Sequence, residues 1–114
     1  MSFQEKQLGQ HRENSTNAVS VYSPANSVTG IIKEVTLCNT TGFAATFRLF
    51  LDDDGTTYDQ TTAKYYDESL AANTTKPIKC FWPMNNPAGN LAFQNGTANA
   101  ITITVDGAEI DVSQ

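Results

Sequence analysis

The sequence has few of the side chains that catalysis and metal binding require. Its 114 residues include one histidine and two cysteines. The histidine, His11, has no Ser, Cys or carboxylate partner that the sequence shows to be preorganised, so it is a poor candidate for a general base. Cys38 and Cys80 cannot complete a four-ligand zinc site without further His or Cys nearby. We therefore expect no enzymatic activity, no metal site and no cofactor.

Basic residues are also scarce, and they are scattered along the chain. The chain has seven Lys and Arg residues and twelve Asp and Glu residues, which gives a formal net charge of −5. Without a basic stripe there is no phosphate-binding surface, and we expect no nucleic-acid partner. No apolar run approaches the roughly 20 residues that span a bilayer, and the start lacks the pattern of a signal peptide. These absences predict no membrane contact and synthesis in a cytoplasm.

Two features leave alternatives open. Cys38 and Cys80 each lie in a strand-like run, and they could form a disulfide only if their Cα atoms came within about 7 Å. Buried, reduced thiols are the favoured interpretation. The turn at 52–55, Asp-Asp-Asp-Gly, invites a calcium-binding interpretation. It lacks the alternate-position ligands, the sixth-position Gly and the twelfth-position Glu of an EF-hand loop, so a solvated turn is favoured.

The first seventeen residues form a polar segment. Phe3 and Leu8 are its only sizeable apolar side chains, and no period of two or 3.6 is visible. Such a segment cannot bury enough apolar surface by itself to offset roughly 1 to 2 kcal/mol of backbone entropy per residue. We predict an extended N-terminal arm at 1–17 that is unordered until it binds a partner, although a frayed terminus would look the same. A folded domain at 18–114 follows.

From residue 18 onwards the sequence has the pattern of an antiparallel β-sheet protein. Short apolar or β-branched runs are separated by clusters of Gly, Pro, Asn, Asp and Thr at intervals of about ten residues. We predict strands at 18–22, 31–39, 43–51, 63–70, 74–82, 91–94 and 100–105, with a further short strand at 56–58. This spacing predicts an all-β fold, an antiparallel two-sheet β-sandwich with jelly-roll or immunoglobulin-like topology.

Aromatic residues occur in two consecutive pairs, Tyr65-Tyr66 and Phe81-Trp82. Neighbouring residues of a strand point to opposite faces, so one member of each pair should lie outside the main core. Aromatic side chains that face outward beside a Pro-rich loop are typical of subunit interfaces. We predict that Phe81 packs in the core together with Phe47 and Phe50. The predicted oligomer interface consists of Tyr66, Trp82 and Met84.

Several short motifs are spread over most of the chain. They are LGQ at 8–10, VYSPA at 21–25, IKEVTLCNT at 32–40, ATFR at 45–48, DDGTTY at 53–58, KYYD at 64–67 and TANAITITVDGAE at 97–109. With these motifs the chain resembles a family of small tailed-bacteriophage virion structural proteins. The resemblance implies a β-sandwich that serves as an assembly module of the virion, made in the cytoplasm of the host bacterium. It carries over no catalytic residues.

Together these observations predict a capsid decoration or cement protein. It would form a homo-oligomer, a trimer at local three-fold positions of the capsid exterior, and stabilise the capsid through its arms. Phe3, Leu8 and Arg12 of the arm would bind the major capsid protein or other virion proteins. Arms that are held together by one oligomer act at high effective concentration, so that weak contacts add up.

The alternative keeps the protein in the virion but moves it to the tail. It would then be a tail or head-to-tail junction component: an adaptor, a tail-surface module or a host-attachment knob. The loops at 52–59 and 83–90 would contact a host surface or carbohydrate, with Trp82 as a stacking platform.

Overall fold

The short apolar runs of the sequence form β-strands in the computed structural model, which describes residues 2–112. In chain order the strands are β1 (Ser2–Arg12), β2 (Val19–Tyr22), β3 (Val28–Asn39), β4 (Ala45–Asp52), β5 (Ala63–Leu70), β6 (Thr75–Met84), β7 (Asn90–Asn95) and β8 (Ile101–Asp111). The seven main predicted strands overlap β2 to β8, while residues 56–58 lie in a loop. None of the described residues belongs to a helix that could cross a membrane.

The strands form two antiparallel four-stranded sheets. Sheet A has the order β1-β8-β3-β6, and sheet B has the order β2-β7-β4-β5. The first strand therefore pairs with the last, β2 with β7, β3 with β6, and β4 with β5. The chain changes sheet after every strand except β4, as expected of a long hairpin that is wound into two Greek keys. This is the jelly-roll topology. An immunoglobulin-like sandwich would instead pair β1 with β2.

The N-terminal segment is a strand of sheet A. Its pairing with β8 runs from Ser2↔Asp111 to Arg12↔Thr102, with a bulge between Gln7 and Gly9. The prediction that this segment is unordered without a partner is therefore wrong for residues 2–12. The prediction considered only side-chain burial, whereas the segment is held by backbone hydrogen bonds to β8, which would otherwise be an unpaired edge.

The core lies between the two sheets. Its largest fully buried side chains include Phe47, Phe93, Ile32, Leu37, Leu49, Leu91, Ile101 and Ile103. In β8 the alternation of buried Ile101, Ile103 and Val105 with half-buried threonines places every second side chain inside, as the sequence predicted. Phe50 is also buried, but it lies outside this cluster, where the rings of Tyr58 and Tyr66 cover it at 6.1 and 6.5 Å between centroids.

The two cysteines are free. Cys38 lies opposite Thr75 in the β3–β6 ladder, whereas the Cys80 thiol is 3.6 Å from the carbonyl oxygen of Ile32. Six residues along β3 separate Ile32 from Cys38, which is on the order of 20 Å at the rise of a β-strand. Cys80 lies beside Ile32 and is therefore far from Cys38. A disulfide between Cys38 and Cys80 is excluded in this fold, because the Cα atoms of two bridged cysteines must lie within about 7 Å of each other.

Candidate assembly surfaces

The three residues predicted to bind the capsid have different roles within the chain. Phe3 is 59% exposed, and the Lys33 ammonium lies 5.8 Å from the centre of its ring. Leu8 is half-buried and packs against the core. The Arg12 guanidinium donates two hydrogen bonds, of 3.2 and 2.9 Å, to the carbonyl oxygen of Asn99. Phe3 and Arg12 are both exposed, Phe3 is the only exposed apolar side chain of the three, and capsid binding by the three residues stays a prediction.

The segment after β1 is fastened to the turn between β7 and β8. The Glu13 carbonyl oxygen accepts hydrogen bonds from the Asn99 backbone N–H at 2.9 Å and from the buried Asn95 side chain at 3.0 Å. The Gln94 side chain donates to the Thr16 carbonyl oxygen at 3.0 Å. The N-terminal segment is thus anchored at its C-terminal end as well as along its length.

Tyr66 of the predicted interface is partly occupied by contacts within the chain. Its side chain is 39% exposed, and the Arg48 guanidinium stacks 4.0 Å from the centre of the ring. Arg48 also donates a 2.7 Å hydrogen bond to Asp67, which lowers the pKa of that carboxyl. Asp67 has a φ of 53°, so it interrupts the edge of β5. Tyr66 can contribute one edge of its ring to a partner, and its interface role stays a prediction.

The faces of Phe81 and Trp82 are opposite to those predicted. Trp82 is half-buried and packs against the core, while Phe81 is 67% exposed. The reason is the alternation of β6, in which Ile78 and Met84 are buried and the even-numbered positions therefore point inward. Phe81 is not a core residue, and Trp82 is not available as an exposed stacking platform for carbohydrate.

Met84 also belongs to the interior. Its side chain is 3% exposed and lies in the core cluster, opposite Gly30 in the β3–β6 ladder. A partner could reach it only if the core opened, so an interface around β6 would rest on Phe81 and its neighbours. The alternation of Ile78 and Met84 is the signal in the sequence that could have identified Phe81.

The outer face of sheet A carries an apolar surface. Ile31 lies between Pro83 and Ala108 in neighbouring strands, and Ile110 pairs with Phe3. Ile31 and Ile110 are half-buried, in contrast to the more exposed rings at the two edges of the sheet. We call this the sheet A surface, and it consists of Phe3, Ile31, Phe81, Pro83 and Ile110.

A charged trough of about 470 Å³ crosses the same face. Its charged residues are Glu5, Lys6, Lys33, Glu34, Lys79 and Asp106. The Lys33 ammonium lies 2.8 Å from Glu5, and its hydrogen bond and charge lower the pKa of that carboxyl. Lys79 lies 3.3 Å from Glu34. These ion pairs are exposed to solvent and contribute little to stability.

A polar groove of about 340 Å³ lies on sheet B, and Thr16, Thr46, Arg48, Asp67 and Gln94 are among the residues that line it. It offers hydroxyl, amide and guanidinium groups, and Phe47, the one aromatic lining residue within residues 2–112, is buried. The groove is suited to hydrogen bonding with a polar partner.

His11 has a carboxylate partner that the sequence did not reveal. Its Nε2 atom is 2.8 Å from Glu13 Oε1, and the Ser15 hydroxyl donates a 2.5 Å hydrogen bond to Glu13 Oε2. In a catalytic triad the histidine accepts the hydroxyl proton, and the carboxylate orients the histidine. Here the hydroxyl is bonded to the carboxylate, so the three residues do not have the arrangement that activates a nucleophile.

The acidic turn at 52–55 is closed by its own hydrogen bonds. Asp52 accepts from the backbone N–H groups of Thr57 at 2.8 Å and Asp54 at 3.2 Å, and these bonds lower the pKa of Asp52. The hydrogen bond and charge of Asp52 raise the pKa of Asp54. Oxygen atoms of Asp52, Asp53 and Asp54 lie within 4.8 Å of one another. The contacts of Asp52 are those of a turn-closing residue.

No protein-family model matches the chain, and no curated protein does so. Among solved structures, a chain of the infectious bursal disease virus Gx strain is similar, with a TM-score of 0.50 and 9% identity over 99% of this chain and 32% of that chain. The tobacco streak virus coat protein dimer has a TM-score of 0.49 and 10% identity, over 99% of this chain and 86% of that chain. The VP2 subviral particle of infectious bursal disease virus has a TM-score of 0.45 and 14% identity, over 95% of this chain and 32% of that chain.

These neighbours are viral capsid or coat structures. This chain spans about a third of the infectious bursal disease virus chains that it matches. At 9% identity the similarity shows a shared fold, the two-sheet β-sandwich. It agrees with the strand order above, since the jelly roll is a fold that viral capsid domains share with lectins and cupins.

Proposed function

We propose that this protein is a structural component of a virion, and specifically a decoration or cement protein on the capsid exterior of a tailed bacteriophage. The observation that carries the proposal is the sheet A surface, where the jelly roll exposes Phe3 and Phe81. Exposed apolar patches of this kind mark sites of association. The resemblance of several motifs to small tailed-phage virion proteins and the β-sandwich fold shared with a viral structure support the proposal.

The binding mechanism that follows differs from the one predicted from the sequence, in which an unordered N-terminal arm becomes ordered on the capsid. Leu8 and Arg12 hold β1 to the rest of the fold, so the protein would meet the capsid as a preformed module with Phe3 at its surface. A preformed surface loses less conformational entropy on binding than an unordered arm does. Several modules in one oligomer would still gain avidity. The trimer predicted from the sequence stays a prediction.

A tail or head-to-tail junction component is the second candidate. The observation that favours it is the polar groove on sheet B, where Arg48 and Gln94 stand beside hydroxyl groups. Such a groove fits the hydroxyl-rich surface of a host carbohydrate through hydrogen bonds. A protein with this role would be present in few copies at the tail, since each particle carries a single tail.

The number of copies in purified particles tests the proposal. Quantitative mass spectrometry should find this protein in hundreds of copies per particle when measured against the major capsid protein. A few to a few dozen copies would assign it to the tail or the junction. Its complete absence from particles would contradict both candidates.

A variant of the exposed surface sharpens the test. Phe3→Ala should reduce the copies on the capsid, because it removes an exposed ring from the proposed contact. Phe43→Ala is the matched control, since Phe43 is 82% exposed but lies in the loop between β3 and β4. Equal incorporation of both variants at wild-type level would argue against a contact through Phe3.

A further inference from the structure

We propose that two copies of the chain associate face to face through the sheet A surface and form a two-fold homodimer. The inference concerns the purified chain in solution and holds whether or not the protein is part of a virion. The dimer would bury Phe3, so binding to a capsid through Phe3 would require the dimer to dissociate. The inference rests on three observations: the position of the exposed aromatic rings, the distribution of charge, and the way the edges of sheet A end.

Two of the exposed aromatic rings, those of Phe3 and Phe81, lie on the same face of sheet A. Phe81 points outward because its neighbours Cys80 and Trp82 pack against the core. Phe3 shares the outer face with Glu5, since both contact Lys33. These two rings, at 67% and 59% exposure, stand at opposite edges of sheet A, on β6 and β1. Water-exposed phenylalanines cost free energy that burial against a second surface recovers.

The charge distribution favours a second copy as the occupant. The trough contains three lysines and three carboxylates, so it has no formal net charge. The whole net charge of −5 therefore lies on the remainder of the chain. The remainder of the chain, taken together, carries like charge that opposes self-association, whereas this face meets its copy without net repulsion.

The trough also provides groups of both signs for pairing between copies. Lys33 and Lys79 form ion pairs within the chain that are exposed and individually weak. In a face-to-face contact the same lysines can reach Glu5 and Glu34 of the second copy at little cost. A face that carries charges of both signs together with exposed apolar side chains can be complementary to itself.

The edges of sheet A direct the association to its face. In β6, Pro77 and Pro83 remove backbone donors from the edge, and in β1 the bulge between Gln7 and Gly9 interrupts the ladder. Such features oppose edge-to-edge pairing. A surface that binds its own copy creates a two-fold axis and closes at two subunits. This inference gives a dimer in place of the trimer predicted from the sequence.

Sedimentation equilibrium of the wild-type chain, with three single substitutions, tests the proposal. Wild type should show twice the chain mass of 12.4 kDa. Phe81→Asp and Phe3→Asp should weaken the dimer by about 100-fold each, because each replaces a ring that the contact would bury with a charge. Phe43→Asp should leave the dimer unchanged, since this 82% exposed ring lies at the other end of β3. All three positions are exposed, so each variant should keep its circular dichroism spectrum.

A charge reversal provides a second, independent measurement. Lys79→Glu should weaken the dimer and make its dissociation constant sensitive to salt, since it gives the trough a net negative charge. A wild-type chain that stays monomeric at millimolar concentration would overturn the proposal. So would a trimer, or a Phe43→Asp variant that dissociates as readily as Phe81→Asp.

Discussion

The Tyr22 hydroxyl donates a 2.7 Å hydrogen bond to the Glu109 carboxylate, which lies 87 residues further along the chain, and thereby joins β2 of sheet B to β8 of sheet A. The Lys6 ammonium on β1 is 2.8 Å from the same carboxylate. Burial and the Glu109 hydrogen bond raise the pKa of Tyr22. Burial opposes ionisation of Glu109, but hydrogen bonds from Lys6 and Tyr22 outweigh it and lower the pKa of Glu109. One carboxylate thus holds three strands together.

Tyr22→Phe should lower the free energy of unfolding at neutral pH by about 1 to 2 kcal/mol, because Glu109 loses a hydrogen-bond donor. The substitution should also remove a decrease in the free energy of unfolding that wild type shows at alkaline pH. Above its ordinary pKa of about 10, Tyr22 ionises in the unfolded state while it stays protonated in the folded state. The unfolded state then binds fewer protons, so wild-type stability falls with pH, by at most about 1.4 kcal/mol per unit.

Urea denaturation from pH 7 to pH 11 measures this difference. The wild-type and Tyr22→Phe stabilities should converge as the pH rises above 10. Two curves that stay parallel through this range would show that Tyr22 ionises with the same pKa in both states.

Asn39→Ala should destabilise the fold by about 3 kcal/mol. The buried Asn39 amide donates to the carbonyl oxygens of Phe43, Leu70 and Ala71, and its oxygen accepts from Thr41. It therefore connects the end of β3 to the turns after β3 and β5. Alanine leaves these carbonyl oxygens without their donor, and buried unpaired groups cost about 1 to 3 kcal/mol each.

Asn85→Ala is the matched control for the same measurement by urea denaturation. Asn85 is exposed in the loop after β6, so its replacement should change the stability by less than about 0.5 kcal/mol. Equal effects of the two substitutions would contradict the role assigned to Asn39.

Gly107→Ala should lower the melting temperature, whereas Gly42→Ala should not. A Cβ atom at residue 107 would lie 1.9 Å from the backbone oxygen of Ile31, and the backbone of β3 would have to move. Overpacking of this kind costs about 1 to 3 kcal/mol. At residue 42 nothing lies within 4 Å of such an atom. Calorimetry of both variants tests the packing of β8 on β3, and similar melting temperatures would contradict it.

Local patterns of apolar residues predicted the strands that bury side chains. They did not predict β1 or the contacts of Asn39, which depend on residues far away in the sequence. The alternation of Ile101, Ile103 and Val105 was sufficient to predict the first half of β8, whereas the strand continues to Asp111. The polar N-terminal segment shows no such pattern, because its order comes from backbone pairing with β8 about a hundred residues later. The hydrogen bonds of Asn39 are invisible in the sequence for the same reason.

The candidate surface was predicted less well than the fold. The principle that Phe81 and Trp82 face opposite sides was sound, but the wrong ring was assigned to the core. Trp82 has the larger apolar surface, and Ile78 and Met84 fix the inward positions of β6. Phe3 is exposed on an ordered strand, and the capsid contact predicted for it stays a prediction.

Hydrogen exchange in β1 tests the central claim most directly, namely that the N-terminal segment belongs to the jelly roll and leaves partner contacts to the sheet surfaces. In the isolated chain, alternate amides of residues 2–12 should be protected to an extent similar to those of the other edge strand of sheet A, β6. Exchange of all these amides at the rate of an unstructured peptide, with β8 still protected, would contradict the claim. It would support the unordered N-terminal arm that the sequence predicts.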